Sequence, residues 1–124
     1  MQIVFSPYCR YFMHGSCADM RKGFDGLCGI VREGFKLSPL SGDVFIFLNR
    51  KRDVVKVLQW QTDGFAIFHK RLEKGTFEIP CVGVEQEQAI KITSRQLDHI
   101  LCGIQLKSVK LRTRYEKRFV DNNM

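Results

Sequence analysis

Long apolar runs are absent from this chain of 124 residues. Its hydrophobic stretches, such as residues 44–48, fall far short of the roughly 20 residues a helix needs to cross a bilayer. The amino-terminal residues show no basic segment followed by an apolar core and a small-residue cleavage site, so a cytoplasmic location and no membrane partner are expected. The five cysteines (Cys9, Cys17, Cys28, Cys81 and Cys102) include no C-x-x-C pair. A zinc ribbon and a thioredoxin-type centre are therefore not indicated, and the thiols read as small buried hydrophobes in a reducing compartment. His14, His69 and His99 each stand alone, with no spacing suited to a shared metal ion. No glycine loop of the Walker type is present. Nothing in the chain implies a cofactor.

What the chain does have is apolar bulk and positive charge. Hydrophobic residues make up 44% of it, enough for one domain with a real core rather than a disordered coil. There are ten Phe but a single Trp and three Tyr, which marks most of the aromatics as packing residues. Twenty Lys and Arg oppose 13 Asp and Glu, a net charge of +7. Such a balance attracts nucleic acid, acidic proteins or anionic surfaces without choosing among them.

The patterning predicts an α+β domain over residues 1–106. A short opening strand is expected within residues 8–18. Asp19 then stands where a helix N-cap belongs, and Met20, Phe24, Leu27 and Val31 give one apolar face to a helix over about 20–34. Gly34 is expected to end it. Residues 43–49 form a strand apolar on both faces, with Val44, Ile46 and Leu48 on one side and Phe45 and Phe47 on the other, so it should be central and covered twice. Turns at 50–53 and 61–64, the second marked by Asp63-Gly64, join it to strands at 54–61 and 65–72 in an antiparallel meander spanning about 43–72. Phe77 begins a short extended piece, 82–88 reads as a polar loop, and 89–92 alternates like an edge strand. Thr93 and Gln96 make a capping box for a late helix over about 94–103, with Leu97, Ile100 and Leu101 inward and Gly103 as C-cap. From 107 to 124 six cations meet only Glu116 and Asp121, a basic tail.

No spacing identifies a catalytic site. Asp19, Asp43, Asp63 and Glu73 are the carboxylates that a metal-dependent nuclease would have to gather, yet each has a structural role at hand as a cap, strand start, turn residue or ion-pair partner. The basic positions are the stronger signal. Arg50, Lys51 and Arg52 occupy one turn; Arg21 and Lys22 open the first helix; Lys70, Arg71 and Lys74 close the meander. These eight are the candidate DNA-contacting residues, able to meet phosphates without burying charge. Solvated surface charge is the competing reading.

The chain resembles the TnpB-type accessory proteins of bacterial insertion sequences of the insertion sequence 66 class. The resemblance covers roughly residues 8–106. It is carried by Asp19-Met20-Arg21-Lys22-Gly23 with Asp25-Gly26-Leu27, by Ser41-Gly42 with Phe45, Phe47 and Asn49-Arg50, and by Lys56, Leu58 and Trp60. Asp63-Gly64-Phe65 and Lys70-Arg71-Leu72-Glu73-Lys74-Gly75 with Phe77 and Pro80 complete it, and Leu97 and Gly103 fit the closing helix. It implies a non-catalytic helper in transposition, acting beside a separate transposase and on DNA or the transposase–DNA complex. An alternative is a protein-interaction module that joins the transposase without touching DNA, through an apolar patch near Trp60 or Phe68.

Overall fold

The computed structural model describes residues 5–79 and 89–102. The expectations for the loop 82–88, for Cys81, for Gly103 as a C-cap and for the basic tail lie outside these residues. The domain is α+β, and the described residues form five strands: β1 (Tyr11–His14), β2 (Val44–Leu48), β3 (Val54–Gln61), β4 (Gly64–Arg71) and β5 (Ala89–Ile92). Their order across the sheet is β4-β3-β2-β1-β5. The meander β2-β3-β4 is antiparallel as its two turns require, and β5 is an edge strand antiparallel to β1. The opening strand β1 lies inside the sheet and runs parallel to β2, with Tyr11 beside Val44 and Met13 beside Ile46. Parallel neighbours need a crossover, and the first helix supplies it.

β2 is buried along its whole length, and the reason is legible in its side chains. Val44, Ile46 and Leu48 join Tyr11, Met13, Val55, Val57 and Phe77 under Leu97, Ile100 and Leu101 of the late helix α2 (Ser94–Cys102). On the opposite face Phe45, Phe47 and Leu58 meet Leu27, Cys28, Val31 and Phe35 of the first helical segment. Removing each of these Phe rings from water contributes about 1.5–3 kcal/mol. The rings also pack edge to face, Phe35 against Phe45 at 5.2 Å and against Phe47 at 5.8 Å. One helix therefore covers each face of the sheet.

The first helix departs from expectation at both ends. α1 runs Phe24–Ile30 and continues as a π-helical segment, Val31–Phe35. Asp19 does not cap it: Gly23 is the N-cap and offers no side chain. The Asp19 carboxylate instead accepts from the Arg21 amide at 2.9 Å, and the Lys22 amide bonds the Asp19 carbonyl at 3.1 Å, so residues 19–22 form their own turn ahead of the helix. Arg21 and Lys22 thus precede α1 rather than opening it. Phe24, expected on the apolar face, is half exposed. Lys36, in the left-handed region at φ 60°, ends the segment in place of Gly34. Gly34 has a different task. A Cβ there would stand 3.3 Å from His14 Nε2, so the missing side chain lets the helix lie against β1.

The second hairpin turn also differs in detail. Gln61 pairs with Gly64, the two loop residues are Thr62 and Asp63, and Thr62 rather than the glycine takes the positive φ, 54°. The capping box forms as written: Thr93 N–H donates to Gln96 Oε1 at 2.9 Å, and Gln96 N–H donates to Thr93 Oγ1 at 3.0 Å.

At the start of β2, Asp43 is buried and takes two hydrogen bonds from Arg10, from Nε at 3.0 Å and Nη2 at 2.6 Å, and a third from Ser41 Oγ at 2.8 Å. The pair staples the entry of β1 to that of β2. Asp43→Asn removes the charge and leaves the fork mismatched. It should lower unfolding free energy by about 1–3 kcal/mol, read from urea denaturation with an unchanged m-value.

Candidate nucleic-acid interface

The topology gathers the eight basic positions at one end of the sheet, where the parallel strands β1 and β2 finish. The turn after β2 carries Arg50, Lys51 and Arg52. Asn49 builds that turn: its Oδ1 accepts from the amides of Asp53 and Val54, both at 3.0 Å, and its Nδ2 donates to Asp53 Oδ1 at 2.6 Å. Arg52 sits at φ 62°, held there as its amide bonds the Asn49 carbonyl at 3.1 Å and its carbonyl accepts from Phe77 N–H at 2.7 Å. The second bond fixes the chain after β4 against the turn, and Leu72 N–H to Asp53 carbonyl, 2.8 Å, does so again. Lys70, Arg71 and Lys74 are thereby brought beside Arg50, Lys51 and Arg52.

Arg21 and Lys22 arrive by another route. Lys56 of β3, opposite Phe47, is buried, and its ammonium donates to the carbonyls of Met20 at 2.9 Å and Lys22 at 2.8 Å. Ala18 N–H bonds the Leu48 carbonyl at 2.8 Å, which anchors the same loop to the end of β2. A buried ammonium satisfied by carbonyls, without a carboxylate, leaves its charge uncancelled near this end. Composition and spacing did not single out Lys56 as a clamp, because nothing local marks a lysine in a strand as buried.

The eight cations are not equivalent. Arg21 is held by Asp19 at 2.8 Å and Arg71 by Glu73 at 3.2 Å, both exposed pairs. Lys70 donates to the Leu101 carbonyl in the last turn of α2 at 2.8 Å, where a cation complements the helix dipole. Lys22, Arg50, Lys51, Arg52 and Lys74 are exposed and, among the described residues, have no carboxylate within ion-pair distance. These five form the uncompensated part of the basic end. The half-exposed ring of Phe24 lies two residues beyond Lys22.

The carboxylates do not converge. Asp43 and Asp63 belong to the opposite end of the sheet, at the start of β2 and in the β3–β4 turn, while Asp19 and Glu73 lie with the basic positions. Among the described residues no group of three or more His, Cys, Asp or Glu side chains could share a metal ion. His14 packs between Phe35 and Phe47, at 5.4 and 5.9 Å, with Nδ1 set 2.8 Å from the Ser16 carbonyl. The apolar patch expected near Trp60 or Phe68 falls on partly exposed side chains. Both are half-buried, Trp60 edge-on to Phe65 at 5.0 Å and Phe68 against Phe5 at 6.4 Å. Among the described residues, the large apolar side chains that are exposed are Tyr8, Phe24 and Leu40.

Among the described residues, the architecture is a helix-covered α+β sheet with a basic end. The chain belongs to the family described as IS66 Orf2 like protein, whose model matches residues 9–111. That membership implies a role accessory to transposition. Two curated relatives from Sinorhizobium fredii are similar to it. The uncharacterized protein y4hO is 40% identical over 86 residues, covering 69% of this chain and 72% of its own. The uncharacterized protein y4jC is 27% identical over 92 residues, covering 74% and 76%. No solved structure matches. Among the described residues, no helix is long and apolar enough to cross a membrane.

Two outcomes test the site's construction. Lys56→Met leaves the Met20 and Lys22 carbonyls without their donor, and stability should fall by about 1–3 kcal/mol in chemical denaturation. The hydrogen bonds from Arg21 hold the Asp19 carboxyl down at about 2. A carboxylate with a depressed folded-state pKa stabilises the fold above its unfolded value, and that contribution is lost as pH falls toward the folded one. Carbon-detected NMR should therefore show Asp19 titrating near 2, and moving up toward the ordinary 3.8 in Arg21→Ala.

Proposed function

We propose that this protein is a non-catalytic accessory factor of insertion-sequence transposition that binds DNA through the basic end of its sheet. The observation that carries the reading is the convergence of three basic segments, distant in sequence, on one end of the fold, five of their cations lacking a described counter-ion. Charges of one sign gathered on one side raise the local concentration of a polyanion and speed its association. The turns that carry them are held by backbone and side-chain bonds, so little ordering is needed on binding. Phosphate contacts fix position without reading sequence, and no described helix is set out as a groove reader. Family membership supplies the setting: the DNA would be that of the mobile element, with the element's transposase as the second partner.

The test is a salt series of binding to labelled duplex DNA with element-end and scrambled sequences. The wild-type affinity should fall steeply with salt. Replacing Arg50, Lys51 and Arg52 together should flatten the slope of log K against log salt by about 2–3 units. An unchanged slope removes that turn from the interface. Absence of binding even at low salt removes direct DNA contact from the function, and a pull-down with the transposase that survives nuclease treatment would put protein contact in its place.

A further inference from the structure

We infer that the outer edge of β4 is a self-pairing surface, and that a second copy of this chain adds to it as an antiparallel strand about a two-fold axis. Among the described residues nothing pairs with that edge. Edge strands are ordinarily blunted by shortness, proline, bulges or charge. β4 has none of the first three: it is eight residues long, contains no proline, and keeps an unbroken register with β3 from Val54↔Arg71 to Gln61↔Gly64. Its charge is confined to Lys70 and Arg71 at one end, next to His69, leaving residues 64–68 as Gly-Phe-Ala-Ile-Phe. The other edge strand, β5, has only four residues and carries Lys91.

The geometry selects the occupant and the register. The hairpin closes on Gln61↔Gly64, and bonding alternates along an antiparallel ladder, which turns the amides and carbonyls of Phe65, Ile67 and His69 outward. Ile67 shares the α1 side of the sheet with its partner Leu58, and Phe68 shares the α2 side with Val57. A two-fold axis perpendicular to the sheet keeps each helix layer on its own side, so an odd-numbered residue must face an odd-numbered one. Centring the axis on Ile67 sets Phe65 against His69 and Ala66 against Phe68 of the second copy. It also brings Asp63, which has no described ion-pair partner, level with Arg71 of the second copy at both ends.

Charge complementarity is the argument for a second copy rather than an unrelated strand. Each neutral-to-acidic end of β4 meets the basic end of its mate. The Arg71–Glu73 contact that must yield is exposed on both sides and weak. An antiparallel pair also holds the two basic ends apart, at opposite margins of a joined ten-stranded sheet, so the repulsion of two chains of net charge +7 is minimised. If the basic end binds DNA as proposed above, one dimer presents two such ends to separate segments.

Sedimentation velocity without DNA tests the pairing independently of that function. The full-length protein should be dimeric at micromolar concentration. Asp63→Arg and Arg71→Asp each set like charges opposite one another at both ends and should weaken the dimer by about tenfold or more. An equimolar mixture of the two variants restores opposite charges at both ends and should recover the wild-type dimer. Both substitutions are at exposed positions, and circular dichroism checks that each variant is folded. A monomeric wild-type protein overturns the inference. So does a dimer indifferent to either reversal, or a mixture that fails to recover.

Discussion

A strand that is apolar on both faces cannot be left against water on either, and β2 imposes that demand on the whole molecule. Phe45 and Phe47 require one layer and Val44, Ile46 and Leu48 another. α1 with its π-helical continuation answers the first, and α2 answers the second. With both faces covered, polar and charged chemistry is left to the ends of the sheet and to its two outer edges. The position of the basic site follows from this as much as from the count of lysines and arginines.

The two ends are used differently. At one, charge is consumed by architecture: Asp43 is buried beneath Arg10 and Ser41 and ties two strand starts together. At the other, architecture serves to hold charge out. Asn49 ties the Arg50-Lys51-Arg52 turn, the backbone of residues 72–77 leans on that turn, and the Lys56 ammonium grips the loop that bears Arg21 and Lys22. Lys70 and Lys56 show that a cation in a basic cluster can be structural. One neutralises the last turn of a helix, and the other donates to two backbone carbonyls.

Much of the fold was legible because its signals are local. The unbroken apolar run 44–48 announced a doubly covered strand, the turns at 50–53 and 61–64 announced the meander, and Thr93 with Gln96 announced the start of α2. The first helix was misread at its entrance because Asp19 has two possible employers. A carboxylate immediately before an apolar stripe suits a cap, but the neighbouring Arg21 offers it a guanidinium and an amide at once. The exit was misread because a glycine near a helix end suggests a stop, whereas Gly34 is small to make room for His14.

The sequence by itself determined the apolar faces of β2 and α2 and which turns carry positive charge, since these depend on neighbours a few positions apart; it did not settle burial residue by residue, and of the cysteines read as buried Cys17 and Cys102 are exposed. It also placed the chain within a family of transposition accessory proteins. Only the tertiary structure decided that β1 lies parallel to β2 in the interior of the sheet, that three separate basic segments share one end, and that Lys56 and Lys70 are spent on carbonyls. Those outcomes depend on contacts between residues some 30 positions apart, as with Lys56 and Met20 or Lys70 and Leu101. Such contacts form only when the layers close over β2, and no pattern read along the chain encodes them.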